Sequence, residues 1–126
     1  LVGERGENAC SEVVDAARIT RSQQISGVIS LVEQHVLIPQ LPMILMGDFN
    51  ATADEYTLRE LLEQDHGILQ LKPQDNIATH PNAGAVDHIY FFPAKRLVEY
   101  ACYVVSTPLS RSISDHLPVV ADITIQ

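Results

Sequence analysis

Cysteine is scarce in this chain. Only Cys10 and Cys102 are present, too few and too far apart for a disulfide framework or a metal-ligand pattern. Cys102 falls in a predicted strand and reads as a small core residue. A reducing compartment is preferred, with the cytoplasm as the expected location. Basic residues are scarce too: eight Lys and Arg stand against 16 Asp and Glu, for a net charge of −8. Binders of nucleic acid usually carry a basic face, so nucleic acid is not an expected partner of this chain alone. The acidity suits divalent cations, but most of it reads as ordinary solubility. Long apolar runs are absent. None approaches the roughly 18 residues of a membrane span, and no signal peptide is visible. Repeats, low-complexity tracts and linkers are missing as well, which predicts one domain over residues 1–126.

What is present fits a globular chain. Apolar residues make up 46% and charged residues 19% of it. A chain of this length can bury roughly two-thirds of its unfolded surface. It begins with Leu1 rather than Met, which reads as a fragment, a processed form or an artificial start.

Leu1 to Asn8 reads as a loose lead-in. The apolar spacing of Ile25, Val28, Ile29, Val32 and Val36 predicts a helix from about Ser11 to His35. Met43 to Met46, between breakers, predicts a buried strand. A second helix is expected next, capped by Thr52 with Glu55 completing a capping box, and with Leu58, Leu61 and Leu62 on its apolar face. Further strands are predicted at Ile68–Leu71, Ile77–Thr79, Val86–Phe92, Leu97–Val105 and Val119–Gln126. Pro93 to Arg96 makes a turn. The order points to an α/β (α+β) class, a mixed sheet backed by helices.

Three runs carry the chemistry, each where an apolar strand meets a loop. In Gly47-Asp48-Phe49-Asn50, Asp48 and Asn50 lie two apart and point the same way in extended chain. A carboxylate there can take a proton from water, and the amide can hold that water or a phosphate oxygen. The plainer reading is a turn, since Asp and Asn form turns readily. In Val86-Asp87-His88-Ile89-Tyr90, Asp87 shares a face with Ile89 and Phe91, so its carboxylate needs a partner unless it sits at the strand mouth. In Ser114-Asp115-His116-Leu117-Pro118-Val119, His116 is such a partner, and an Asp–His contact favours imidazolium. His116 could also donate to a phosphate oxygen, and Asp115 could bind a metal or its waters. Alone, the first run reads as readily as a turn, and the Asp115-His116 pair as a surface loop. The three together make much of a phosphate-ester hydrolysis site.

These runs resemble motifs of the endonuclease/exonuclease/phosphatase (DNase I-like) superfamily. Gly47-Asp48-Phe49-Asn50 matches its G-D-F/L-N, Val86 to Tyr90 its apolar-D-H/Y-apolar strand, and Ser114 to Val119 its terminal S-D-H-x-P-V. Thr79-His80-Pro81 resembles a T-aromatic-P run with His80 in the aromatic place. The likeness spans about Arg18 to Ile125. It implies a fold that is half of a four-layered DNase I-like sandwich, the C-terminal half. It implies a Mg²⁺-dependent phosphoesterase, with Mn²⁺ as an alternative ion, hydrolysing a phosphate mono- or diester by activated water, with its machinery incomplete in this chain alone. Asp48 would orient or deprotonate the attacking water and serve the metal. Asn50 would bind that water or the substrate. Asp87 would pair with His116, and His116 would contact the scissile phosphate. Asp115 would serve the metal.

Members of that family also use an N-terminal half with an Asn, a metal-binding Glu and a further His or Tyr. Nothing before Asp48 matches these, and Glu4, Glu7 and Glu12 read as solvated. His88 reads as a packed or surface residue, and His35 and His66 as helix-end residues. The expected partners are a phosphoester substrate and either a second copy or a missing N-terminal half. A second copy would cover an apolar sheet face bearing Ile89, Cys102, Val104 and Ile123. The rival reading is a non-catalytic half-domain acting through self-association or a partner half. A third, an unrelated α/β binding module in which the motifs are coincidence, would be favoured by Asp48, Asp87 and His116 lying far apart.

Overall fold

A computed structural model describes the backbone of residues 2–59 and 67–126, and side chains at 13, 15–59 and 67–126. Helix α1 spans Val2–Val32 and runs on as a π-helical turn over Glu33–Leu37. The expected loose lead-in is therefore helical. Once a nucleus exists downstream, each added residue gains a hydrogen bond, and the helix propagates. It stops at Gln40, which takes a left-handed φ of 62°. Gln40 N donates to Leu37 O at 3.3 Å and Leu41 N to Val36 O at 3.0 Å, the paired bonds of a Schellman ending.

Strand β1 is Met43–Asp48, followed by the one-turn helix α2 at Tyr56–Leu58. The expected capping box does not form. Thr52 Oγ1 donates to Asp54 at 2.6 Å, while the Glu55 carboxylate takes Arg21 Nε at 3.2 Å and Nη2 at 3.4 Å. A two-pronged guanidinium bond outcompetes a neutral backbone amide. The pair also ties α1 to α2. Leu61, Leu62 and His66 lie outside the described residues, as do the side chains of Cys10, Glu4, Glu7 and Glu12.

Strands β2 (Leu69–Gln70), β3 (Asp87–Phe92), β4 (Leu97–Val104) and β5 (Val119–Ile125) follow, with helix α3 at Pro108–Ile113 before the last. Thr107 caps α3 through Ser110, and Pro108 enters at its first turn, where a missing N–H costs nothing. Ile77–Thr79 is not a strand; the chain there leads into a lone bridge between His80 and Gly84.

The class is α+β. One sheet has the order β1-β3-β2, the other is the β4-β5 hairpin, and every described pairing is antiparallel. Three layers result. Val28, Ile29 and Val32 of α1 pack on the face of the first sheet that carries Leu45 and Tyr90. The opposite face carries Ile89 and Phe91, which pack on Cys102, Val119, Ala121 and Ile123 of the hairpin. Ile89, Cys102 and Val104 are therefore buried, which corrects the expectation that they form an open face. In the first sheet Ile44 and Met46 of β1 are instead the exposed large apolar side chains among the described residues, at 54% and 69%.

Candidate active site

The site follows from strand register. Antiparallel pairing sets the last residue of β1, Asp48, opposite the first of β3, Asp87. Two like charges facing each other across a ladder repel. Asp87 lies on the Ile89–Phe91 face, the face that packs on β5. His116 stands just before β5 and so arrives at both carboxylates. Its Nδ1 donates to Asp87 Oδ2 at 2.8 Å, and its Nε2 lies 3.7 Å from Asp48 Oδ2. The Asp87 bond, with the charges of Asp87, Asp48 and Asp115, raises the His116 pKa above the ordinary histidine value, against a smaller opposing effect of burial. Imidazolium is thereby favoured between the two acids.

The 3.7 Å contact is too long for a hydrogen bond. Nε2–H is left available, on a side chain 34% exposed. Asp48 is fixed by a local turn instead, its Oδ1 accepting the Asn50 amide at 2.8 Å. Asn50 adopts a φ of 52°, a left-handed angle that Asn tolerates better than most residues. Its side-chain amide makes no hydrogen bond among the described residues.

Thr79 holds the two halves of the contact together. Its buried hydroxyl accepts the Val86 and Asp87 amides at 3.1 and 3.2 Å and donates to Gly84 O at 3.3 Å. Its carbonyl accepts the amide of Leu117, next to His116, at 2.8 Å. His80 then reaches Asp115, with Nε2 to Oδ2 at 3.2 Å, and its ring centre lies 4.9 Å from that of His116. Sequence reasoning assigned neither Thr79 nor His80 a role. The available signal was the histidine in an aromatic's place.

Asp48, Asp87, Asp115 and His116 thus meet at one end of the fold, with Asn50 on the adjoining turn. Asp87, His116 and Asp48 bring ligand-capable atoms within 4.8 Å of one another, and so do His80, Asp115 and His116. A cleft of about 240 Å³ between Met46–Asp48, Asp87–Ile89 and Leu117–Val119 runs alongside. His88 belongs elsewhere. It is 5% exposed, its Nε2 lies 2.7 Å from Ala51 O, and its ring contacts Phe49.

The distance that would have favoured an unrelated binding module is not found: Asp87 and Asp48 lie 2.8 and 3.7 Å from His116. A profile of the Endonuclease/Exonuclease/phosphatase family matches residues 7–116. The chain belongs to that family. Its members are in general hydrolytic phosphoesterases that use divalent metals. No curated protein and no solved structure matches the chain. No helix among the described residues is long and apolar enough to cross a membrane.

Proposed function

We propose that the chain carries a metal-assisted phosphoesterase site that hydrolyses a phosphate mono- or diester with water. The observation behind this reading is His116, bonded to Asp87 at 2.8 Å and facing Asp48 at 3.7 Å. Asp87 orients the ring through Nδ1 and stabilises its charge. Nε2–H meets a phosphoryl oxygen as negative charge builds there. Asp48 Oδ2 takes a proton from the attacking water. The water oxygen bonds to phosphorus, the ester P–O bond breaks, and the departing oxygen is protonated from solvent. Asn50 holds the water or a phosphate oxygen with its free amide.

The chemistry of the carboxylates fits a hard divalent cation. Asp48 and Asp115 offer carboxylate oxygens on side chains 39% and 71% exposed, which leaves room for retained water. Mg²⁺ or Mn²⁺ at Asp48 or at Asp115, which belong to two separate groups of ligand-capable atoms, would neutralise charge developing on the phosphoryl group.

Turnover of a panel of phosphate mono- and diesters by the purified chain, with Mg²⁺ or Mn²⁺, tests the reading. His116→Ala and Asp48→Asn should each lower the rate by 10²-fold or more. Equal rates in parent and variants would overturn it. A second reading, a half-domain that acts only with a second copy or a partner half, is favoured by Ile44 and Met46 exposed beside the site. Absence of turnover together with self-association would support that reading instead.

A further inference from the structure

We propose that His80 is a positioning residue for the phosphoesterase site, holding the Asp115 carboxylate with a fixed Nε2–H, and is not itself a metal ligand. The proposal rests on the phosphoesterase reading for its consequence, though its geometry stands apart from it. His80 opens a tight loop closed by reciprocal bonds, His80 N to Gly84 O at 3.0 Å and Gly84 N to His80 O at 3.1 Å. Inside that loop the backbone amides of Asn82 and Ala83 lie 3.2 and 3.1 Å from His80 Nδ1. Both are obligate donors, so Nδ1 accepts and carries no hydrogen. Neutral imidazole has one N–H, which must then be on Nε2. Nε2 faces Asp115 Oδ2 at 3.2 Å and donates to it.

This decides between two uses of the His80–Asp115–His116 cluster. Its ligand-capable atoms come within 4.8 Å of one another, as a three-ligand metal site would require. Binding through His80 Nε2 needs that nitrogen's lone pair. The hydrogen would then move to Nδ1, where it would meet two amide hydrogens. Asn82 and Ala83 thus exclude His80 as a ligand and fix it as a donor. Asp115 is the group that gains. It is 71% exposed on its side chain, and the bond to His80 is its one hydrogen bond among the described residues. Without that bond, the carboxylate must be ordered when a cation or phosphate arrives, at a cost in affinity. Outer partners of this kind are commonly worth 10- to 100-fold in metal affinity.

Long-range ¹H–¹⁵N spectra of histidine report the tautomer in the unmodified chain, and calorimetry with Mn²⁺ reports the affinity. The expected result is an Nε2–H tautomer for His80, about tenfold weaker Mn²⁺ binding in His80→Phe, and recovery to near the parent value in His80→Gln. The glutamine NH₂ can donate to Asp115 whereas phenylalanine fills the ring's space and cannot, so recovery separates donation from ring packing. An Nδ1–H tautomer overturns the proposal even if His80→Phe does not fold. Unchanged binding in a folded His80→Phe overturns it, as does a loss that glutamine fails to restore, or no Mn²⁺ binding by the parent. These effects without turnover of any phosphoester would sink the phosphoesterase reading and leave the His80 assignment standing.

Discussion

Asp87 and His116 meet because two sheets pack. Asp87 is the first residue of β3 on the face that receives β5, and His116 enters three residues before β5 begins, so their 2.8 Å bond is set by the apolar contacts of Ile89 and Phe91 with Val119 and Ala121. The bond has a pH signature. It raises the His116 pKa in the folded chain above the unfolded value, so the proton is held more tightly when folded. Its stabilisation is fully present below the unfolded histidine pKa, about 6.5, and is lost as pH rises through the raised folded value. His116 ring-proton shifts followed by NMR should titrate above that of an unfolded histidine. Asp87→Asn should bring the titration back down and flatten the pH dependence of stability in this window. An unchanged His116 titration in Asp87→Asn would remove Asp87 as the cause.

Thr79 should matter more than its surface suggests, since it has almost none. Its hydroxyl accepts two amides at the mouth of β3. Thr79→Val keeps the shape and removes the acceptor, which leaves the Val86 and Asp87 amides unmatched. A loss of about 1–3 kcal/mol is expected in chemical denaturation, with Thr79→Ser losing less. Valine at parental stability would mean that water replaces the hydroxyl and that Thr79 is no clamp.

Much of this arrangement was legible in the sequence, and the gaps have physical reasons. Asp48, Asp87 and His116 could be named because each follows or precedes an apolar run, and strand ends gather where sheets end. Periodicity put Val119, Ala121, Ile123 and Ile125 on one apolar face of β5; the first three pack inward, while Ile125 at the strand's end is 43% exposed. Helix starts were harder. Glu55 three residues after Thr52 spells a capping box, yet Arg21, 34 residues upstream, takes its carboxylate. No local pattern reports a partner that distant. Helix α3 was missed although Thr107-Pro108 is a recognisable start, because six residues give too little periodicity to register. Thr79 and His80 were marked only by a histidine in an aromatic's place; the contact that gives His80 its use, Asp115, lies 35 residues away and is brought there by the fold.

The end of α1 offers a stability test independent of the site. Gln40 holds a left-handed φ of 62°, where a β-carbon is crowded and glycine is not. Gln40→Gly should raise stability by up to about 1 kcal/mol, read as a shifted denaturation midpoint at constant slope. A loss would mean that the Gln40 side chain contributes contacts worth more than the backbone strain.

The face beside the site should govern self-association. β1 is an edge strand, with β3 on one side and no described strand on the other. Ile44 and Met46 pair across the ladder with Phe91 and Ile89 and so share the face of Asp48 and Asp87. The hairpin buries Phe91 and Ile89 but leaves Ile44 and Met46 54% and 69% exposed. An unpaired edge with apolar side chains invites another strand or another apolar surface. The chain should therefore sediment above monomer mass at micromolar concentration. Met46→Lys, at an exposed position, should cost the fold no more than about 0.5 kcal/mol while shifting the population toward monomer. It also adds a cation beside Asp48, so Mn²⁺ binding should weaken in the same variant. A parent chain that sediments as a monomer at every concentration would leave this edge without a partner of its own kind.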